Sequence, residues 1–304
     1  MTDERRRKNL EVPAGPVDCV IDTDTYNEID DQFAVSYMLK SEKCRVKALC
    51  AAPFFNENST SPGNGMERSY EELLHLLTLM GREEEKKITY RGSAEFMKDE
   101  NTPVESDAAD AIIALAEQHS EEDPLYVVAI GAITNVASAI LKKREIIDKM
   151  VVVFLGGHDL YYKHTKEFNM FGDPAASRIV FASGVPLVQL PCCGVVTEFT
   201  TTEFELRHWL VGKNPLCDYL AKHTIEAAES YAAGKAWSRV IWDVTAVAWL
   251  LNDGGRFMAS EVIPALIPEY DGYYSLGRHP HVMRRVTEIH RDALMTDLFK
   301  TLAK

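Results

Sequence analysis

The sequence predicts an α/β fold with an open, mostly parallel central sheet flanked by helices, in a single domain (residues 1–304) with a helical C-terminal part. Two observations support this prediction. Up to residue 190, short continuous apolar runs alternate with segments whose apolar residues recur at spacings of three and four. No internal repeat or low-complexity linker divides the 304 residues. Such alternation is typical of a parallel sheet with right-handed helical crossovers.

The individual elements follow from these patterns. Short continuous apolar runs are typical of strands that are buried on both faces of a sheet. These runs cover residues 17–21, 46–50, 125–130, 150–155 and 186–190. Helices are predicted where the apolar side chains form one stripe. They cover residues 30–40, 66–80, 107–118, 134–142 and 173–183 and, in the C-terminal part, 214–231, 243–251 and 291–302. We expect the polar residues 1–15 to form a flexible N-terminal arm.

Charge and composition exclude several classes of protein. Acidic residues outnumber basic ones by 46 to 33, for a net charge of −13, so we expect no nucleic-acid partner. No apolar stretch approaches the roughly 18 residues of a membrane span, and the N-terminus is too polar for a signal peptide. The six cysteines form no CxxC pair. We therefore expect a reduced, cytoplasmic protein with no membrane partner.

The end of the first predicted strand carries the densest group of candidate functional residues. Residues 22–31 have the sequence DTDTYNEIDD, with carboxylates at Asp22, Asp24, Glu28, Asp30 and Asp31. Ligands of open α/β sheets bind beyond the carboxyl ends of the strands. Carboxylates this close repel one another unless a cation compensates their charge. Because all the candidate ligands are oxygens, the pattern favours Ca²⁺ or Mg²⁺ over Zn²⁺.

Other interpretations of this segment account for less of it. The first turn of a helix accommodates its last two carboxylates but does not explain Asp22 and Asp24. An EF-hand loop counted from Asp22 would need Gly and Glu where the chain has Asn27 and Phe33. A Mg²⁺-dependent phosphotransferase of the haloacid dehalogenase type also begins with DxD after a strand. It carries Thr or Val where this chain has Tyr26, and it stays open as an alternative.

Together with later strand ends, this segment resembles the inosine-uridine preferring nucleoside hydrolase family. That family opens with DTDPGxDDAxA. The chain has DTD, then five residues (25–29) instead of three, and then DDQFA. Four further motifs follow in the family's order. They are VAIGAITNVA at 128–137, VVVFLGG at 151–157, EFN at 167–169 followed by DPAA at 173–176, and WDVTA at 242–246.

The resemblance implies a Rossmann-like core and a role for each matching residue. Asp24 would bind Ca²⁺ and act as general base toward the attacking water, and further Ca²⁺ ligands would be Asp31, Asp243 and the backbone carbonyl of Ile130. The other implied residues are Asp30, Asn56, Glu167 and Asn169 around the ribose, Trp242 against the base, and Asp22 as a support behind the ligands. The partner would be a small-molecule ribonucleoside, and the assembly a homodimer or homotetramer.

Trp242 indicates the purine-preferring branch of the family. Members that prefer inosine and uridine carry His before the last metal aspartate, whereas the purine-preferring branch has Trp, and an indole stacks well on a purine. A core aromatic at the start of a helix is the open alternative for Trp242. The resemblance therefore implies Ca²⁺-dependent hydrolysis of the N-glycosidic bond of ribonucleosides, with a preference for purine ribonucleosides.

Several residues near predicted strand ends are given no catalytic role. Residues 158–166, HDLYYKHTK, lie where many family members have an Asn for the ribose 5′-hydroxyl. The two histidines of this segment are expected to be solvated. The cysteines at 192–193 are interpreted as small buried apolar residues, although they follow a strand. The tyrosines at 273–274 and the residues 279–281 are assigned to a surface loop. A relative that binds a nucleoside or sugar without turnover is a further alternative function.

Overall fold

The computed structural model describes residues 1–277 and 281–304, so 279 and 280 of the predicted surface loop lie outside the described residues. The strands are β1 (Val17–Thr23), β2 (Cys44–Ala51), β3 (Thr89–Tyr90), β4 (Leu125–Ala129), β5 (Met150–Leu155), β6 (Leu187–Leu190), β7 (Thr200–Thr201), β8 (Arg239–Val240), β9 (Met258–Pro264), β10 (Leu266–Pro268), β11 (Tyr274–Leu276) and β12 (Val282–Ile289). The helices are α1 (Asp3–Asn9), α2 (Asp30–Lys40), α3 (Pro62–Leu79), α4 (Asp107–Ala116), α5 (Thr134–Lys142), α6 (Phe168–Gly172), α7 (Pro174–Ser183), α8 (Glu203–Trp209), α9 (Pro215–Ala232), α10 (Val244–Leu250) and α11 (Arg291–Leu302). Of these helices, none combines the length and the apolar character needed to cross a membrane.

A single large sheet organises the chain. Its strand order is β3-β2-β1-β4-β5-β6-β12-β9. The neighbouring strands are parallel except for β12 and β9, which are antiparallel. The predicted α/β fold with a mostly parallel central sheet is therefore confirmed.

Helices cover both faces of the sheet because its central strands are apolar on both sides. In β1, Cys19 and Ile21 belong to the hydrophobic layer that also contains residues of α2, α10 and α11. Val20, which lies between them, belongs to the opposite layer with residues of α4, α5 and α7. Successive side chains of a strand point to opposite faces, so each central strand contributes to both layers. This double burial explains why the strands appear in the sequence as continuous apolar runs.

The C-terminal part contains strands that the sequence analysis does not predict. Beyond residue 190 the prediction is mainly helical, whereas β12 and β9 extend the sheet by two strands. The apolar pattern of β12 is interrupted by Arg284 and Arg285, which are buried through ion pairs. The strand β9 lies at the edge of the sheet and is only partly buried. A local hydrophobic pattern does not predict these strands, because the charges of β12 are compensated by distant partners and β9 is only partly buried.

The N-terminal segment also differs from its expected form. Residues 1–15 are predicted to be a flexible arm, but they contain α1, whose first turn is capped by the Thr2 hydroxyl. Leu10 is fully buried in the core, and the Asn9 amide donates to the Glu121 carbonyl at 2.9 Å. Glu11 forms an ion pair with Arg284. A few anchoring contacts to distant parts of the chain therefore hold this polar segment on the molecule.

Candidate active site

One cavity of about 390 Å³ lies beyond the carboxyl ends of β1, β4, β5 and β6. It is lined by nearly all the residues that the sequence analysis assigns to the site, namely Asp24, Asp30, Asp31, Asn56, Ile130, Glu167, Asn169, Trp242 and Asp243. Asp22 is the exception. It lies behind the cavity, where the Asn135 amide donates to its Oδ1 at 2.7 Å. The edge of the sheet thus gathers side chains that are as much as 219 positions apart, from Asp24 to Asp243.

Four carboxylates form a buried group in this cavity, the aspartate cluster of Asp24, Asp30, Asp31 and Asp243. Each is at most 4% exposed. Carboxylate oxygens of Asp30, Asp31 and Asp243 all lie within 4.8 Å of one another. Neither carboxylate oxygen of Asp24 has a hydrogen-bond partner in the described part of the chain. Because buried polar atoms are normally paired, this arrangement calls for a ligand.

Burial and mutual repulsion raise the pKa values of Asp24, Asp31 and Asp243. Desolvation is the largest cause for Asp24, Asp31 and Asp243, and neighbouring carboxylates raise the pKa of each further. The pKa of Asp31 is raised to about 8. Burial also raises the pKa of Asp22 to about 7, against the opposing hydrogen bond from Asn135. The fully ionised cluster is therefore unfavourable at neutral pH without a compensating positive charge.

The donor atoms of the aspartate cluster suit a hard divalent cation. Ca²⁺ and Mg²⁺ prefer carboxylate and carbonyl oxygens, and the unpaired oxygens of Asp24 are of this kind. The carbonyl of Ile130, which directly follows β4, accepts a hydrogen bond from the Asn169 amide at 3.1 Å. A carbonyl oxygen has a second lone pair, so this bond leaves it able to coordinate a metal. The residues present therefore fit a bound divalent metal ion.

Local structure explains how the cluster forms. Asp30 and Asp31 occupy the first turn of α2, where the helix dipole favours negative charge. The Thr23 hydroxyl at the end of β1 donates to Asp31 and fixes its orientation. Asp243 lies directly before α10. Two helix N-termini and one strand end thus present their carboxylates to the same point.

The longer loop over residues 25–29 contributes Asn27 and Glu28 to the cavity, and the sequence analysis assigns neither of them a role. The backbone N–H of Asn27 donates to the backbone carbonyl of Asp24 at 2.7 Å, which closes a turn. The side-chain amide of Asn56 donates a hydrogen bond to Oδ1 of Asn27 at 2.5 Å. Glu28 pairs with Arg239 at 2.7 Å. The extra residues are therefore held in the cavity wall by contacts to two other segments.

Glu167 and Asn169 are fixed by backbone contacts. The Glu167 carboxylate accepts hydrogen bonds from the backbone N–H groups of Gly157, Asn169 and Met170 at 2.9, 2.9 and 3.0 Å. It thereby caps α6. Burial raises the pKa of Glu167, and the three hydrogen bonds oppose this effect. The Asn169 amide bridges the carbonyls of Ile130 and Leu155, each at 3.1 Å. Both side chains are thus presented to the cavity in defined orientations.

Trp242 lines the cavity and also touches the core. It is partly buried and packs against the hydrophobic layer that contains α2 and α10. The Thr245 hydroxyl donates to its carbonyl at 2.7 Å, which fixes the entry into α10. Trp242 therefore contributes both to the cavity wall and to the core.

Some expectations for the remaining residues are corrected by the structure. His158, expected to be solvated, is only 6% exposed and lines the cavity with Lys166 and Cys193. The phenol of Tyr274, expected in a surface loop, accepts a hydrogen bond from Gln189 at 2.7 Å beside the cavity wall. Tyr273 is exposed, as expected for a residue of a surface loop. No local pattern marks His158 or Tyr274, since both are buried by segments distant in sequence.

Comparison with known proteins supports the same relationship. The model of the family "Inosine-uridine preferring nucleoside hydrolase" matches residues 19–290. A curated relative, the pyrimidine-specific ribonucleoside hydrolase RihA of Shewanella sp. (strain ANA-3), is 29% identical over 154 residues, covering 48% of this chain and 47% of that protein. The chain thus spans about half the length of the curated relatives it matches first.

Solved structures share the fold across nearly the whole chain. A purine-preferring ribonucleoside hydrolase from Gardnerella vaginalis aligns with a TM-score of 0.74 at 20% identity, covering 94% of this chain and 98% of that one. A plant nucleoside hydrolase, PpNRh1, aligns with a TM-score of 0.72 at 19% identity, covering 95% and 99%. Since the family model covers most of the sequence, the haloacid dehalogenase alternative is set aside. The chain belongs to the inosine-uridine preferring nucleoside hydrolase family.

Proposed function

We propose that this protein hydrolyses the N-glycosidic bond of ribonucleosides in a Ca²⁺-dependent reaction that yields ribose and the free base. The observation that carries the proposal is the aspartate cluster, in which both carboxylate oxygens of Asp24 lack a hydrogen-bond partner within the described residues. Cleavage of this bond passes through a state in which the ribose becomes positively charged. Nearby carboxylates stabilise that charge.

The chain's own residues supply most of the chemistry. Asp24, Asp31, Asp243 and the Ile130 carbonyl would hold Ca²⁺, which when bound orients the ribose diol and lowers the pKa of the attacking water. Asp24 accepts the proton of that water, a contribution typically worth about 10²- to 10⁴-fold in rate.

The ribose is bound by residues around the aspartate cluster. In this proposal Asp30, Asn56, Glu167 and Asn169 contact its hydroxyl groups, and Asp22, held by the Asn135 amide, lies behind the ligands. The backbone contacts of Glu167 support this role, because they restrict its carboxylate before substrate binds. Such preorganisation lowers the entropic cost of orienting the sugar.

We further propose that Trp242 makes the enzyme prefer purine nucleosides. Its place in the cavity wall supports stacking on a base, and a two-ring purine offers the indole more contact than a pyrimidine does. Similar proteins are named for a pyrimidine or for a purine preference, so similarity does not decide the base preference of this chain. An experiment must test it.

The first experiment measures release of free ribose from inosine, adenosine, guanosine, uridine and cytidine. Each assay is run after treatment with EDTA and again after addition of Ca²⁺, with a generic phosphatase substrate in parallel. We expect Ca²⁺-restored ribose release that is faster for the three purine nucleosides. Faster release from uridine and cytidine would refute the purine preference, and activity that survives EDTA would refute metal dependence. No release from any nucleoside would instead indicate a binding protein.

We also propose that the protein forms a homodimer or homotetramer. Light scattering coupled to size-exclusion chromatography measures the mass of the assembly directly. A mass of two or four times 34.2 kDa is expected, and a mass of 34.2 kDa would contradict this proposal.

A further inference from the structure

The active-site cavity has two chemically different sides. On one side Asn27, Glu28 and Asn56 also border a neighbouring polar cavity. On the other side Lys166 and Glu167 also border a third cavity. This second side, which we call the Lys166 side, contains His158, Lys166 and Glu167. It lies where the family resemblance places the 5′ end of the ribose.

Two imidazole groups of the Lys166 side have defined tautomers. The backbone N–H of Cys193 donates to Nδ1 of His158 at 3.2 Å, and the backbone N–H of Lys166 lies 3.3 Å from Nδ1 of His164, to which it donates. A nitrogen that accepts a hydrogen bond carries no proton, so in each neutral ring the proton is on Nε2. The ring centres are 5.6 Å apart. His158 thus lines the cavity with the proton of its neutral ring on Nε2.

Lys166 is held at the cavity by its aliphatic stem. Gly272 has a φ of +88°, and a Cβ added there would lie 2.5 Å from Cε of Lys166. The Thr165 N–H donates to the Gly272 carbonyl at 2.7 Å. The absence of a side chain at Gly272 thus lets the lysine stem pass. Among the described residues, no carboxylate lies within ion-pair distance of the Lys166 ammonium, which is 5.3 Å from the ring centre of Phe171.

Among the described residues, the Glu167 carboxylate forms no ion pair with these donors. Its carboxylate already accepts three backbone N–H groups. The Lys166 side thus contains one imidazole and one ammonium group at the cavity. A ribose 5′-hydroxyl offers a single oxygen to these donors, whereas a phosphate offers three oxygens and a charge of about −2.

We propose that the Lys166 side binds the phosphate of a nucleoside 5′-monophosphate, so that the protein hydrolyses nucleotides as well as nucleosides. The proposal rests on the proposed function, because it takes the reaction from there and extends the substrate class. His158 and Lys166 would bind the phosphate oxygens, and His164 would support His158 from behind. In this proposal the aspartate cluster faces the metal and the ribose hydroxyls rather than the phosphate.

Lys166, Glu167 and Phe168 line both the active-site cavity and the third cavity, which has a volume of about 500 Å³ and is lined mainly by phenylalanines. The phosphate would therefore stay at the Lys166 ammonium rather than enter that apolar cavity. The reaction needs no further reactant. The bond from C1′ to the base breaks, the water oxygen bonds to C1′, and the base takes up a proton, which gives ribose 5-phosphate and the free base.

Steady-state kinetics with a nucleoside and its 5′-monophosphate test this proposal, using inosine and inosine 5′-monophosphate with Ca²⁺. We expect kcat/KM for the monophosphate to equal or exceed that for the nucleoside. The product must be ribose 5-phosphate, since free ribose would mean prior loss of phosphate. A kcat/KM for the monophosphate that is 100-fold below that for inosine would overturn the proposal.

Two matched substitutions locate the effect. Lys166→Met should lower the ratio of kcat/KM for the monophosphate to that for the nucleoside by at least tenfold. Lys163→Met removes an exposed lysine of the same loop and should leave this ratio unchanged. An equal loss on both substrates in Lys166→Met, or the same change in ratio in Lys163→Met, would contradict the assignment.

A binding measurement separates this proposal from the proposed function. If neither substrate is cleaved, the proposed hydrolysis fails, but calorimetric titration with ribose 5-phosphate and with ribose still probes the site. Binding of ribose 5-phosphate at least tenfold tighter than ribose, reduced by Lys166→Met, would support the phosphate site. Equal affinity for the two sugars would overturn it.

Discussion

Asp24 shows how one side chain can combine an unfavourable environment with a chemical role. It is 1% exposed, and neither of its carboxylate oxygens is paired in the described part of the chain. Burial raises its pKa, and Asp31 and Asp30 raise it further. A folded protein retains such a group where a ligand compensates it or where a proton must be accepted. Both conditions apply in the proposed reaction.

Asp24→Asn should therefore reduce activity while relieving repulsion. We expect kcat to fall at least about 100-fold, because the amide does not accept a proton from water. In EDTA the melting temperature should not decrease, because one buried charge is removed. The control is Asp18→Asn, at the other end of β1, where Asp18 pairs with Arg45 and Lys47. A kcat of Asp24→Asn within tenfold of the wild-type value would contradict the general-base role.

Trp242→Ala tests the stacking proposal at the same scale. Loss of stacking on a base costs about 1–3 kcal/mol, or roughly 5- to 150-fold in kcat/KM, and should affect inosine more than uridine. Trp209→Phe is the control, since Trp209 stacks on Phe299 at 6.0 Å and does not line the cavity. An equal loss on both nucleosides would mean that Trp242 serves packing alone.

At the scale of elements, the loop over residues 25–29 distinguishes this chain from the family pattern. Its contacts join three segments, since Asn27 binds Asn56 and Glu28 pairs with Arg239 of β8. The Asn58 amide also donates to the Asn27 carbonyl at 2.9 Å. Two additional residues are therefore accommodated by anchoring the loop rather than by leaving it extended into solvent. Through Glu28 the loop borders both the active site and the neighbouring polar cavity.

Removal of the Glu28–Arg239 pair should affect substrate binding more than stability. The Glu28 side chain is half-exposed, and such a pair contributes about 0–1 kcal/mol. We expect Arg239→Met to shift the melting temperature by less than about 3 °C and to raise KM for inosine at least threefold. Lys43→Met, which removes the ion pair of Lys43 with Asp253, is the control. An unchanged KM in Arg239→Met would show that the anchor is dispensable for the substrate.

At the scale of the whole molecule, the buried carboxyl groups couple stability to pH and to metal. The pKa of Asp31 is raised to about 8 and that of Asp22 to about 7. Their pKa values in the unfolded chain are near 4, so the folded state binds more protons between these limits. Stability from these groups is fully present below about pH 4 and is lost as pH rises through the folded pKa values.

The metal-free protein should consequently lose stability as pH rises from about 5 to 8. Each such carboxyl contributes a decrease of at most about 1.4 kcal/mol per pH unit. The burial of His158 lowers its pKa and acts in the opposite direction near pH 6. In EDTA, the loss of stability between about pH 5 and 8 should be smaller for Asp31→Asn than for the wild-type protein. The difference between the two gives the contribution of the Asp31 carboxyl. Melting temperatures in saturating Ca²⁺ should depend less on pH, and an equal dependence with and without Ca²⁺ would argue against metal binding at the cluster.

Local sequence patterns predicted much of the fold because the central strands are buried on both faces. The predicted helices at 30–40, 134–142 and 291–302 have the same bounds as α2, α5 and α11. The predicted helix at 66–80 begins later than α3, which starts at Pro62 after the Ser61 cap. The strands β9 and β12 were missed, since their polar residues are compensated only by distant partners. Periodicity detects local burial but not such compensation.

Local burial patterns and short motifs are enough to predict the family, the central strands and helices, and the carboxylates of the proposed site. The folded chain adds contacts that these patterns do not show, because the Asn56 amide binds Asn27, His158 is buried in the cavity wall, and Lys166 passes over Gly272. Each of these contacts joins segments that are distant in the chain. Their proximity follows from the packing of the loops beyond the sheet, and no local pattern in the sequence encodes it.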